Sequence, residues 1–244
     1  MTKSSATRLL RNLIVGVFAT LFFLIVAVRG QQYVLRARAE RLLGQVSALV
    51  LGRATFADAQ RIFRQWPSAR YDGPCVPIRC DFDVRLSDFS VSRYEFRANH
   101  PKLLRVYESL GGRDSTVAAR VLVQDGLVGG KFINVAVEVY PQETDLFGPF
   151  GYGLIGRAST MQTSETWPTG TSRHPEYYIG QPSGCEICVS VFTVFTPRAD
   201  PADIQRLMQF DLSCLTRWLS PCRTQGDIMP AAWKQAEEER AGFY

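Results

Sequence analysis

The feature that most constrains this chain is an apolar run close to its N-terminus. From Leu13 to Val28 there are sixteen residues without a charge, and twelve of them are Leu, Ile, Val or Phe. As a helix the run is about 24 Å long, close to the ~30 Å hydrocarbon core of a bilayer, and Arg11 and Arg29 can reach the headgroups from its two ends. A buried helix of a soluble protein normally carries polar residues on one face, which this run lacks. The sequence therefore predicts that residues 13–28 contact a lipid bilayer.

The run is either a retained anchor or a cleaved signal peptide. Lys3, Arg8 and Arg11 precede it, as in both kinds of segment. It exceeds the length of about 7–15 apolar residues usual for a cleaved signal, and no clear small-residue cleavage site follows it. We therefore predict a single-pass signal-anchor and keep cleavage as the alternative.

The cysteines predict which side of the membrane the body occupies, because basic residues flank the run on both sides and do not orient it. All six cysteines follow the run. Closely spaced pairs in this number are typical of disulfides formed outside the cytosol. We therefore predict a cytoplasmic N-terminus and an extracytoplasmic body. The candidate disulfide residues are Cys75, Cys80, Cys185, Cys188, Cys214 and Cys222. Cys185 and Cys188 can pair only if their segment is a turn, so the connectivity stays open.

The charge balance excludes one class of partner. The chain has 28 basic and 23 acidic residues, and four of the basic residues lie before residue 31, where no acid occurs. The rest of the chain is nearly neutral and has no basic-aromatic stripe, so we predict no nucleic-acid binding. The full chain has an apolar content of 46%, which is typical of a folded protein.

Four parts of the chain follow from these patterns. They are a tail and anchor over 1–29, an amphipathic juxtamembrane helix over 30–52, an extracytoplasmic α+β domain over 53–230, and a charged, loose C-terminal tail over 231–244. The juxtamembrane helix has one apolar stripe, formed by Leu35, Ala39, Leu42, Val46 and Leu49. This stripe is expected to pack on its own domain, with a protein partner or self-association through residues 33–50 as the alternative.

The fold class follows from the order of the remaining elements. Thr55 is expected to cap a helix, "CDFDVRLS" alternates like a half-buried strand, and "HPKLLRVYESLGG" predicts a short helix. "AARVLVQ" and "KFINVAVEVY" predict a hairpin around Asp125–Gly126, and three more strand-like stretches follow. A last helix is expected to begin at Asp200 and to bury residues as far as Leu219. Consecutive strands predict an α+β fold, with one mainly antiparallel sheet and helices on one face.

Two more specific interpretations of the cysteines, a redox motif and a zinc site, have less support than disulfide formation. A redox CxxC motif belongs at a helix N-terminus, whereas Cys188 is followed by the strand-like "VSVFTVF". A zinc site formed by Cys75, Cys80, Cys185 and Cys188 is geometrically conceivable, but the spacing of its first pair is loose and an oxidising compartment disfavours it. We therefore predict no metal and no cofactor.

Other motifs are best explained by structural roles rather than by catalysis or ligand binding. "GYGLIG" has glycines at 151, 153 and 156 but no helix pattern after it, so we interpret it as a turn between strands rather than a nucleotide site. His100 and His174 each precede proline and are expected in loops or at helix boundaries. Asp81 and Asp83 are expected on a solvated strand face beside Arg85.

The sequence does not specify an activity. The favoured hypothesis is a membrane-anchored, extracytoplasmic binding, assembly or structural module that disulfides stabilise. An envelope-associated enzyme with a dispersed site is the alternative, and a cytoplasmic-facing cysteine zinc domain is the third. No catalytic residue is predicted.

Overall fold

A single helix connects the apolar N-terminal run to the folded body. In the computed structural model, which describes residues 3–71, 73–88, 100–138, 153–156, 177–180, 188–218 and 222–241, helix α1 extends over Lys3–Ala48. Within the described residues it is the one helix long and apolar enough to cross a membrane, and its most apolar window has a mean hydropathy of 2.4 and no buried residue. The described part of the chain therefore has one candidate membrane-spanning helix, near the N-terminus.

The C-terminal part of α1 lies in the core of the body. Every residue of the predicted stripe is buried, from Leu35 at 5% exposed to Leu42 and Val46 at 0%. This confirms that the stripe packs on its own domain. These side chains are consequently not available to a coiled-coil partner.

The body combines short helices with strands. The helices are α2 (Phe56–Phe63), α3 (Pro101–Ser109), α4 (Pro201–Leu207), a 3-10 turn (Ser213–Thr216), α5 (Gln225–Ile228) and α6 (Pro230–Ala241). The strands are β1 (Ala69–Tyr71), β2 (Arg79–Ser87), β3 (Ser115–Gln124), β4 (Leu127–Glu138), β5 (Gly153–Gly156), β6 (Tyr177–Gly180) and β7 (Cys188–Phe195).

The described strands form one sheet in the order β1-β2-β3-β4-β7-β6-β5, and each pair of neighbours is antiparallel. Helix α1 packs on β2 and β3, α2 on β2 and β4, α5 on β7 and α6 on β5. The predicted fold class is confirmed: the fold is α+β, with an antiparallel sheet and an apolar N-terminal helix.

The hairpin between β3 and β4 is tighter than the sequence predicted. Asp125 has φ 52° and Gly126 has φ 80°, as the central residues of a type I′ turn require. The six residues "DGLVGG" separate the two predicted strands, but the turn takes up only the first two, and the last four belong to β4. Register shifts by one residue between Leu122 and Val123, which accommodates this start.

One face of the sheet contributes the core. Phe82 on β2 lies under α2, with ring centroids 5.1 Å from Phe63 and 5.7 Å from Phe56. Ile133 on β4 and Val191 on β7 are fully buried on the same side. The predicted cap of α2 is confirmed, because Thr55 and Asp58 form a reciprocal capping box.

The opposite face of β2 differs from the expectation of a solvated strand. Asp81 is 9% exposed and forms an ion pair with Arg120 on β3, with the Arg120 Nε 2.7 and 2.8 Å from its two carboxylate oxygens. Burial raises the pKa of the neighbouring Asp83, which is only half-buried. The expectation was wrong for Asp81 because the Arg120 side chain, from the adjacent strand, reaches its carboxylate.

Three further expectations were wrong. The last helix stops at Leu207, and Asp211 then accepts the Ser213 N–H at 2.8 Å to start a 3-10 turn. The C-terminal segment was expected to be loose, but it forms α6 and buries Ala232 and Ala236. Gly153 and Gly156 lie in β5 rather than in a turn, and Gly151 is outside the described residues.

Candidate functional site

Buried polar side chains meet where α1 enters the body. We call Gln32, Asp88, Tyr107, Arg113 and Ser115 the junction cluster. Gln32 lies on α1, Asp88 directly follows β2 and Ser115 begins β3. Tyr107 comes from α3, and Arg113 from the segment between α3 and β3. The cluster thus joins the apolar helix to three other elements of the body.

Gln32 is the centre of these contacts and is 0% exposed. Its amide nitrogen is 2.9 Å from Asp88 Oδ2, 2.6 Å from Tyr107 Oη and 3.1 Å from the Arg113 carbonyl oxygen. The Ser115 backbone N–H also donates to Asp88 Oδ2, at 3.3 Å. A single α1 side chain is therefore bonded to the residue that follows β2, to α3 and to the segment between α3 and β3.

Asp88 is buried, and this environment is unfavourable for a negatively charged carboxylate. Its pKa is raised to about 7, mainly by burial and also by the nearby Asp114, against the lowering effect of hydrogen bonds from Gln32, the Ser115 backbone and Tyr107. Its Oδ1 and the Gln32 Oε1 are both buried acceptors without a hydrogen-bond partner in the described part of the chain. A proton on Asp88 would convert one of these acceptors into a donor. The junction cluster is consequently a group whose hydrogen bonding depends on pH near neutrality.

Tyr107 and its surroundings hold α3 against this cluster. Burial and the Asp88 charge raise the pKa of the Tyr107 hydroxyl, so it stays a neutral donor. A Cβ added at Gly112 would overlap the Tyr107 ring, and Gly111 ends α3 with φ 87°. These two positions need glycine for close approach and for a left-handed backbone.

Arg29 lies one turn before Gln32 and contacts a different part of the body. Its guanidinium donates to the Thr216 carbonyl oxygen and lies 5.7 Å from the Tyr33 ring centroid and 5.8 Å from that of Trp218. Arg36 donates to the Thr216 hydroxyl at 3.0 Å. Two arginines of α1 thereby hold the 3-10 turn against the helix.

The other end of the core part of α1 is fixed by a buried lysine. Lys131 on β4 is 1% exposed and donates from Nζ to the Ser47 carbonyl oxygen at 3.0 Å. A cation at a helix C-terminus is favourable, although burial lowers the pKa of Lys131 to about 8. Polar contacts therefore fix this part of the helix at both ends.

The cysteines lie away from the junction cluster's hydrogen bonds. Disulfides join Cys75 to Cys80 and Cys214 to Cys222, and Cys188 is also disulfide-bonded. Cys185 lies outside the described residues. The zinc interpretation needed free sulfurs at Cys75 and Cys80, which the disulfide occupies. Within the described ranges no group of three or more His, Cys, Asp or Glu could hold a metal ion.

The remaining candidate residues do not converge on a reactive centre among the residues described. His100 is exposed at the start of α3, and His174 is outside the described residues. Cys188 begins a strand, where no helix dipole would activate a redox thiol. A shallow, open depression of about 360 Å³ near α2 contains Asp58 and Arg61. These two side chains pair with each other at 3.4 Å, and Asp58 also caps α2.

The junction cluster was missed at the sequence level, although a signal for it exists. Gln32 continues the alternating three- and four-residue spacing of the apolar stripe by one step before Leu35. Asp88 likewise occupies the next inward position after Leu86 in the alternation of β2. Two polar residues in apolar phase predict a buried polar contact.

Comparisons with protein-family models, with curated proteins and with solved structures find no match to this chain.

Proposed function

We propose that this protein is a single-pass scaffold that holds its disulfide-stabilised body in a fixed pose on the extracytoplasmic face of a membrane, where the body binds or assembles with other components. The observation that carries the proposal is the continuity of α1. One helix supplies both the exposed apolar segment and part of the body's core. An anchor of this kind has no flexible linker, in contrast to anchors joined by Gly- or Ser-rich segments.

The contacts at the junction support a rigid connection. Gln32 is hydrogen-bonded within the junction cluster, and Arg29 and Arg36 both bond Thr216. Bending α1 between residues 29 and 36 would break these bonds and expose buried polar groups, which costs about 1–3 kcal/mol for each group.

The disulfides support the extracytoplasmic side. Structural disulfides persist in oxidising compartments and are rare in the cytosol. Both described disulfides close short loops, over sequence separations of 5 and 8 residues, and the Cys214–Cys222 bond constrains the 3-10 turn that contacts α1.

A pair of reporter fusions on the full chain tests sidedness. A reporter that becomes active only after forming its own disulfides is attached after Tyr244 in one fusion and before Met1 in the other. We expect activity from the first fusion only, and extraction of the protein from membranes by detergent but not by alkaline carbonate. Activity from the fusion before Met1, or release by carbonate, would overturn the proposal.

A further inference from the structure

Exposed apolar side chains surround the point where α1 leaves the body. On α3, Leu103 is 58% exposed and Val106 is 51% exposed, and they lie three residues apart on one helical face. Trp218 is 47% exposed, and on α1 itself Tyr33 and Val34 are more than half exposed. We call Leu103, Val106 and Trp218 the collar.

Measured along the axis of α1, the collar lies close to Val28, the end of the apolar run. Tyr107, one residue after Val106, is bonded to Gln32, and Gln32 is four residues, or about 6 Å of helix, beyond Val28. Trp218 is stacked against Arg29, the first charged residue after the run. Both parts of the collar are therefore held within about one or two helical turns of the last apolar residue of the span.

Exposed apolar residues at the opposite end of the body lack this position. Leu127 follows the β3–β4 turn and is 39% exposed. It is close in sequence to Lys131, whose partner Ser47 is fifteen residues, or about 22 Å of helix, beyond Gln32. The two ends of the body thus carry similar side chains at very different distances from the span.

We propose that the collar inserts into the interfacial region of the extracytoplasmic leaflet, so that α3 and Trp218 form a second membrane contact beside α1. This inference rests on the proposed function, because it needs the span to lie in the bilayer. Tryptophan favours the membrane interface, where its ring is apolar and its N–H is hydrated. Lys102 is exposed on α3, and its long side chain suits the same interface.

The chemistry of the collar fits a lipid surface better than water. An amphipathic helix that lies in the interface buries its apolar face about 5–10 Å into the boundary between headgroups and acyl chains. The outward face of α3 presents two aliphatic side chains near the height at which this boundary would lie. The span already positions α3 there, so insertion adds little loss of translational freedom.

Depth measurements on the full chain in phosphatidylcholine vesicles test the inference. Single nitroxide labels are placed through Val106→Cys in the collar, Leu127→Cys at the far end and Val17→Cys in the span. Oxygen concentrates in hydrocarbon, whereas a nickel chelate stays in water. We expect the oxygen-to-nickel collision ratio to be highest at residue 17, intermediate at residue 106 and several-fold lower at residue 127.

The three labels separate the inference from the proposed function. A water-like ratio at residue 106 with a hydrocarbon-like ratio at residue 17 overturns the collar and leaves the anchor intact. A water-like ratio at residue 17 overturns both. Equal ratios at residues 106 and 127 also overturn the collar, because contact would then not depend on distance from the span.

A second measurement avoids added thiols, which could disturb the disulfides. Brominated lipids quench tryptophan fluorescence on contact. We expect quenching in the wild-type chain and a large loss of that quenching in Trp218→Phe. The control is Trp233→Phe, which changes a tryptophan on α6, a helix that packs on β5. This variant should retain the quenching. Quenching that is the same in Trp218→Phe and in the wild type would overturn the role of Trp218.

Discussion

The two parts of α1 share one backbone and face opposite environments. Residues 11–24 are all exposed and have almost no polar face, and Thr20 satisfies its hydroxyl by donating to the Gly16 carbonyl oxygen at 2.9 Å. Residues 32–48 carry charges on one side and a buried apolar stripe on the other. Both parts are nevertheless helical. The distribution of polar residues around the helix decides which part fits lipid and which part fits a protein core.

The largest expected difference between the two parts comes from removing one leucine in each. Leu42 is 0% exposed, so Leu42→Ala should lower the free energy of unfolding of the body by about 2–5 kcal/mol through lost burial and a cavity. Leu21 is exposed, so Leu21→Ala should change this free energy by less than about 0.5 kcal/mol. Denaturant titration in detergent micelles measures both. Equal losses of stability in the two variants would contradict the difference between the two parts of α1.

The contact between α1 and the 3-10 turn gives the next effect. Replacing Cys214 and Cys222 together by alanine removes a cross-link, which the loop-entropy model values at about 2–3 kcal/mol. Because Thr216 bonds Arg29 and Arg36, amide exchange at α1 residues near Arg29 should also become faster. The matched control replaces Cys75 and Cys80, and it should lower stability without this local change. Faster exchange in both variants would contradict the contact.

At the boundary between the two parts, Asp88 should make stability depend on pH. Its pKa is about 7 in the folded chain and near 3.8 when unfolded, so between these values the folded state holds a proton that the unfolded state has lost. Stability should therefore fall as pH rises from about 4 to 7, by up to about 1.4 kcal/mol per pH unit. Asp88→Asn should flatten this slope.

Chemical denaturation at a series of pH values measures the Asp88 effect. Asp125→Asn is the control, because Asp125 is exposed on the β3–β4 turn and asparagine tolerates its positive φ. The slope should persist in that variant. A slope that survives in Asp88→Asn would assign it to other groups.

The smallest expected effect lies outside α1, at the cap of α2. Thr55→Ala should lower the free energy of unfolding by about 1 kcal/mol, because the capping box loses the Thr55 hydroxyl, which accepts from the Asp58 N–H and donates to the Asp58 carboxylate. Thr55→Ser keeps the oxygen and should retain most of the stability. A loss as large as that of Leu42→Ala would show that an exposed cap matters as much as the buried stripe.

Local patterns predicted the elements, whereas tertiary contacts decided where several of them end. The stripe of α1, the Thr55 cap and the Asp125–Gly126 turn are set by neighbouring residues and could be predicted. The end of α4 could not be predicted, because it depends on Asp211, whose N–H donates to the Ile228 carbonyl oxygen. The same holds for α6, which is helical through residue 241 although its sequence is highly charged.

The pairing of residues in the junction cluster could not be predicted from the sequence for a similar reason. Gln32, Asp88 and Tyr107 are separated by 56 and 19 positions in the chain, and only the sheet and α3 bring them together. The position of Gln32 and of Asp88 in the apolar patterns marks each of these two residues separately. It does not specify which partner each one meets.

The continuity of α1 also fixes the rotation of the sheet about the axis of that helix, relative to the apolar segment. Each residue of an α-helix turns the chain by about 100°, so one residue added or removed between Val28 and Gln32 would swing the whole body by more than a quarter of a circle. A neighbour that docks on one side of the body would then meet a different side. Under the proposed function, the number of residues between Val28 and Gln32 would therefore determine which side of the body a binding partner meets.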